Sequence, residues 1–132
     1  MPMVSVRRHI FLAAPATDVW KIVGDAGGVS KWFPSVAKSS LVGSTREVTL
    51  LNGLVVSEEI VTLDDDARRL QYRVLSGISL SAHLATLDVI EIDSSHSLLI
   101  SSVDVEPDDF GPRLAASIEA AFAVLQELLT AQ

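Results

Sequence analysis

No cysteine occurs in this 132-residue chain, so disulfides, thiolate nucleophiles and zinc–thiolate sites are excluded from the start. Hydrophobic residues make up 48% of it, and mean hydropathy is +0.38. Yet no uninterrupted apolar run reaches the roughly 18 residues that a membrane-spanning helix needs. Basic runs are missing too. Ten Lys and Arg stand against 17 Asp and Glu, a net charge of −7, and they cluster only as the pairs Arg7-Arg8 and Arg68-Arg69. Phosphate backbones and anionic lipid surfaces repel such a chain on average, which argues against nucleic acid and membrane insertion and for a neutral or cationic ligand. Repeats, low-complexity tracts and linkers are absent, so a single domain over residues 1–132 is expected. The opening "MPMVSVRRHI" lacks the charged-then-apolar layout of a secretory signal, and a cytoplasmic location is expected.

Cofactor signatures are equally scarce. "GDAGG" lacks the strand-to-helix placement of a dinucleotide loop and reads as a connector. His9 and His96 have no ligand-like spacing to each other or to acids, and no Ser-His-Asp or paired-carboxylate arrangement is legible. Neither a cofactor nor a metal is therefore expected.

The surplus apolar residues follow two periods. Val4 to Leu12 alternates, with Val4, Val6, Arg8, Ile10 and Leu12 on one face, and reads as a strand. "AAPATDVWKIVGDAGG" reads as a short helix: Pro15 suits its first turn, Asp18 complements the N-terminal dipole, and Gly24 and Gly27-Gly28 end it. A second helical turn is expected in "VSKWFP", stopped by Pro34. From Ser35 to Glu106 the period drops to two, with turn signals every ten or so residues, and six strands are expected there. After Pro107, Leu114, Ile118, Ala121, Phe122, Leu125, Leu128 and Leu129 recur at helical spacing over about twenty residues, roughly 30 Å of helix. The order predicts an α+β domain: a seven-stranded curved antiparallel sheet wrapped around one long C-terminal helix, with two short helices after the first strand. One helix does not fill so curved a sheet, and space is left between them.

The stretch "LVVSEEIV", Leu54 to Val61, places charge in that space. Leu54, Val56, Glu58 and Ile60 share one face, and Val55, Ser57, Glu59 and Val61 the other. Whichever face turns inward takes a carboxylate with it, and an unpaired buried carboxylate costs several kcal/mol, so a partner is required. A two-residue Asn52-Gly53 turn sets Arg46 opposite Glu59, whereas a three-residue loop or a bulge sets Arg46 opposite Glu58. We expect the second, with Arg46 and Glu58 facing inward, either as a structural ion pair at a cavity rim or as a ligand-orienting pair. Glu58 could also shuttle a proton if burial raises its pKa. Tyr72 shares a face with Leu70 and Val74, as a core filler or as a hydrogen-bond donor to a ligand. His83 shares one with Ala85, Leu87 and Val89, as a core histidine, a base or a hydrogen-bond partner. Trp32 and Phe33 are adjacent; one gates a pocket mouth, or both cap the core. Arg8 reaches solvent or a neighbouring acid.

"APATDVWKIVGD", "VSKWFPSV", "REVTLLNG" followed by "SEEI", "LDDDARRLQYRV" and the Pro107 turn occur here in an order and spacing that resemble the helix-grip superfamily. This SRPBCC or START-like group includes START domains, birch-pollen-allergen-like proteins and polyketide cyclase/dehydrase-like proteins. The resemblance covers nearly the whole chain and implies a cavity for a small hydrophobic or amphipathic molecule that is lipid-, polyketide- or aromatic-like. Carried onto this chain, it implies a lining of Trp32, Phe33, Arg46, Glu58, Tyr72, His83, Ser101, Leu114 and Ile118. In a cyclase/dehydrase-like enzyme, Glu58 or His83 would move a proton while Tyr72 or Arg46 steadies an enolate. Two departures stand out: Ser101 replaces a frequent Trp and should enlarge the pocket, and His83 replaces a usual aromatic.

Overall fold

Residues 2–131 are described in a computed structural model. β1 (Val4–Leu12) leads to α1 (Ala16–Val23) and a 3-10 segment (Ala26–Lys31). Then come β2 (Val36–Val42), β3 (Thr45–Leu50), β4 (Val55–Asp64), β5 (Arg69–Ser76), β6 (Ala82–Asp93), β7 (His96–Glu106) and α2 (Gly111–Thr130). The strands form one sheet in the order β1-β7-β6-β5-β4-β3-β2. The last strand thus returns beside the first, and every pairing is antiparallel.

Alternation sets which side chains enter. In β1 the inward Val6 and Leu12 are buried while Ser5, Arg7, His9 and Phe11 are exposed. Inward Arg8 escapes burial by pairing with Glu119 of α2 at 3.1 Å. Ala85, Leu87 and Val89 of β6 and Leu99, Val103 and Val105 of β7 meet Ile118, Ala121, Phe122 and Leu125 of α2 in the core. Each large aliphatic side chain removed from water there contributes about 1.5–3 kcal/mol. Irregularities in the β4–β5 pairing at Ser57/Glu58 and Ile60/Thr62 are the kind that bend a strand and strengthen sheet twist.

The second short helix begins earlier than its sequence suggests, running through Gly27-Gly28 instead of starting after them. Side chains from the sheet hold it there: Ser39 Oγ donates to the Gly27 carbonyl at 2.8 Å, and Arg46 Nη1 to the Ala26 carbonyl at 3.0 Å. Such long-range bonds leave no trace in local periodicity.

Two glycines shape the sheet's open end. The β3–β4 connection is a three-residue loop, Leu51 to Gly53, closed by Leu50 N–H donating to the Leu54 carbonyl at 2.8 Å, with Gly53 at φ +87°. Only this loop length, not the two-residue turn, pairs Arg46 with Glu58. Gly77, at φ +100°, lies so close to the β4 backbone at Val55 that a Cβ would strike the Val55 carbonyl oxygen. Gly77→Ala is expected to cost at least about 1–2 kcal/mol, from the positive φ alone, read as a lower urea midpoint with an unchanged slope.

Candidate functional site

A cavity of about 360 Å³ lies between the sheet and the first turns of α2. Its walls are mostly apolar: Val48 and Leu50 of β3, Val56 of β4, Val74 of β5, Val105 of β7 and Leu114 of α2, with Phe33, Ile78 and Leu80 from connecting segments. α2 is divided along its length. Leu114 and Ser117 line the cavity, whereas Ile118, Ala121, Phe122 and Leu125 fill the closed core. At the mouth, Ser35 Oγ and Ser117 Oγ lie 3.2 Å apart and join the segment before β2 to the helix.

The polar floor comes from neighbouring strands. Arg46 is opposite Glu58, Glu58 is opposite Val74, and the β5–β6 register, continued past its last pair Tyr72–Ala85, would set Val74 opposite His83. Arg46 is only 2% exposed and Glu58 8%. Glu58 Oε1 accepts from Arg46 Nε and lies 2.8 Å from both Nε and Nη2. Arg46 Nη1 holds the Ala26 carbonyl, and the guanidinium carbon sits 4.3 Å above the centre of the Tyr72 ring. All three guanidinium nitrogens thus have a partner and one face is covered. Oε2 of Glu58 accepts no hydrogen bond, and among the described residues no side-chain polar atom is both fully buried and unpartnered. Glu58 lines the cavity, so Oε2 is the acceptor it offers there. Its outward neighbour Glu59 is satisfied separately by Arg73 at 2.7 Å, which resolves the double-carboxylate strand.

Burial raises the Glu58 pKa above its ordinary 4.5, outweighing the opposing attraction and hydrogen bond of Arg46. Burial, reinforced by the negative charge of Glu58, pushes the Tyr72 phenol up to about 12, so it stays protonated. His83 stands where the β5–β6 ladder stops. Its Nδ1 accepts the Val74 amide N–H at 3.2 Å, and burial lowers its pKa to about 4. An imidazole that is neutral and accepts at Nδ1 carries its proton on Nε2, leaving that nitrogen a donor.

Of the residues expected to line a pocket, Phe33, Arg46, Glu58, Tyr72, His83 and Leu114 do so. Trp32, Ser101 and Ile118 do not. Trp32 is 2% exposed in the core, with Phe33 edge-on at 4.6 Å, so the two aromatics divide core and cavity between them. Ser101 does not enlarge the cavity: it is buried in β7 between Leu99 and Val103, which belong to the closed core. Ile118 lies one turn too far along α2. Sequence reasoning passed over Ile78, Leu80, Asn52, Arg113 and Ser117. Arg113 and Ser117 share the i, i+4 spacing of one helix face, but their polarity hid them from an apolar-stripe search. Among the described residues no group of three or more His, Asp or Glu could hold a metal ion, and no helix is long and apolar enough to cross a membrane.

A sheet gripping one long helix over a partly polar hollow defines the helix-grip, START-like class. The family described as polyketide cyclase/dehydrase and lipid transport matches residues 3–131, and the chain belongs to it. Solved structures agree on the fold. XoxI of Bacillus cereus is 19% identical, with TM-score 0.89, covering 98% of this chain and 96% of that one. A START superfamily protein of Mycobacterium smegmatis is 17% identical, with TM-score 0.77 and 97% of each chain covered. Norcoclaurine synthase of Thalictrum flavum, solved with dopamine and hydroxybenzaldehyde, is 16% identical, with TM-score 0.77, covering 99% of this chain and 88% of that one. No curated protein matches the chain.

Two measurements probe the floor. Arg46→Met leaves the Glu58 carboxylate buried without its partner and is expected to lose about 3–5 kcal/mol, most of it recovered in Arg46→Met/Glu58→Leu, where no charge remains. Urea midpoints at pH 7 decide. For His83, the unfolded chain binds a proton more readily than the folded one between pH 6.5 and about 4, so this group's contribution falls as pH falls through that window. Subtracting the stability profile of His83→Asn from that of the wild type should leave a loss on the order of 2–3 kcal/mol there. Glu58, shifted in the opposite sense, is common to both proteins and cancels.

Proposed function

We propose that the chain binds a small hydrophobic or amphipathic molecule, lipid-, polyketide- or aromatic-like, in the cavity between sheet and α2. The observation that carries this is the cavity itself: about 360 Å³ walled mostly by aliphatic and aromatic side chains, with Arg46, Glu58, Tyr72 and His83 gathered on one floor. Sites for small molecules span roughly 300–1,000 Å³ and combine apolar walls with a few convergent polar groups. This one falls at the small end, which favours a molecule of one or two rings or a short chain over a diacyl lipid. Phe33, Tyr72 and Leu114 would contact the apolar body, and Glu58 and His83 the polar end.

A second reading rests on the free Glu58 Oε2 and its raised pKa. In it the protein is a cyclase/dehydrase-like enzyme whose Glu58, or His83, moves a proton on a bound carbonyl compound. Tyr72 would then donate a hydrogen bond to the enolate oxygen. Arg46, bonded to Glu58 and to the Ala26 carbonyl, is a poorer candidate for that task than Tyr72.

Native mass spectrometry of protein taken from its own host, followed by titration with the neutral probe N-phenyl-1-naphthylamine, tests the binding reading. One molecule per chain is expected, with binding lost in Leu114→Trp, which fills the cavity while leaving the circular dichroism spectrum unchanged. Binding that survives Leu114→Trp undiminished places the probe elsewhere and removes the proposal's support. If a copurified ligand is turned over, Glu58→Gln or His83→Asn should abolish turnover while binding persists. A ligand bound but unchanged by the wild type eliminates the enzyme.

A further inference from the structure

The cavity floor distinguishes between head groups that its apolar walls would accept alike. Two cations border the cavity, Arg46 and Arg113. Arg46 directs Nε and Nη2 to Glu58 and Nη1 to the Ala26 carbonyl, and Tyr72 covers one of its faces, so its charge is already matched by a carboxylate. Arg113 is exposed on the first turn of α2 and serves the mouth, not the floor. What the floor presents instead is one acceptor, Glu58 Oε2, one donor, His83 Nε2–H, and the Tyr72 phenol.

From this arrangement we infer that the inner end of the ligand is an uncharged hydroxyl, phenolic or alcoholic, and that carboxylate-ended amphiphiles are rejected. The inference rests on the cavity-binding function proposed above. A hydroxyl donates to Oε2 and keeps lone pairs for a floor donor. A carboxylate would bring a second negative charge beside Glu58, where the one floor guanidinium is already paired with that glutamate. An ammonium would satisfy Oε2 but stand next to the Arg46 charge and leave His83 Nε2–H without an acceptor. Arg46 therefore acts here as a positioning residue: it clamps Oε1 so that Oε2 points into the hollow.

Three probes of one shape test this: 2-naphthol, 2-naphthoate and naphthalene, titrated calorimetrically at pH 7, with amide chemical-shift mapping to locate each. In the wild type 2-naphthol is expected to bind at least about tenfold tighter than either of the others, the worth of one hydrogen bond to a charged group. In Glu58→Gln, which leaves Arg46 uncompensated, the preference over 2-naphthoate should shrink by a similar factor or reverse. The wild-type ranking decides even if that variant fails to fold. Naphthoate or naphthalene binding in the cavity as tightly as naphthol overturns the hydroxyl assignment while leaving cavity binding intact. If no probe perturbs cavity residues, both fall together.

Discussion

A single guanidinium holds the cavity end of this molecule together. Arg46 reaches from β3 to the Glu58 carboxylate on β4, the Ala26 carbonyl of the 3-10 segment and the ring of Tyr72 on β5. Sheet, short helix and cavity floor are thereby referred to one charge that is 2% exposed. A buried pair of this kind is weak evidence for stability, since desolvating two ions offsets much or all of their attraction, and well-packed apolar side chains commonly replace such a pair without loss. Its value lies in geometry. Apolar side chains at both positions would remove the floor's acceptor, whereas the ion pair keeps a carboxylate at the edge of the cavity.

That hollow follows from the division of labour along α2. The helix buries Ile118, Ala121, Phe122 and Leu125 in the closed core and keeps its first residue, Gly111, against Val4 of β1, while Leu114 and Ser117 between them line the cavity. The β5–β6 ladder runs only from Arg69–Asp88 to Tyr72–Ala85. Beyond it, the His83 imidazole takes the amide of Val74 in place of a backbone carbonyl. A side chain thus substitutes for a missing backbone partner at the cavity wall, and burial keeps it neutral. Its Nδ1 serves the fold, and the residue also borders the cavity.

Much of this was legible from residue order. The alternation in Val4 to Leu12, the period of two from Ser35 to Glu106 and the helical stripe from Leu114 to Leu129 reflect local geometry, and the seven strands and terminal helix follow them closely. The inward placement of Glu58 was readable because both faces of its strand carry a carboxylate and one nearby arginine can meet it. Two kinds of feature were hidden. Tertiary hydrogen bonds, such as those of Ser39 and Arg46 to Gly27 and Ala26, moved the short helix without a local signal. Depth along an element is also silent: Ser101, Trp32 and Ile118 share the periodicity of residues near the cavity but sit where sheet and helix have already closed.

The central claim is that Glu58 is buried at the floor of a hollow, so that desolvation outweighs the attraction of Arg46. A carbon-13 titration of the Glu58 side-chain carboxyl by NMR tests it directly. A midpoint above the ordinary 4.5 is expected. A midpoint at or below that value would mean a solvated carboxylate in a simple ion pair, and it would contradict the buried, cavity-facing floor on which the binding and head-group proposals rest.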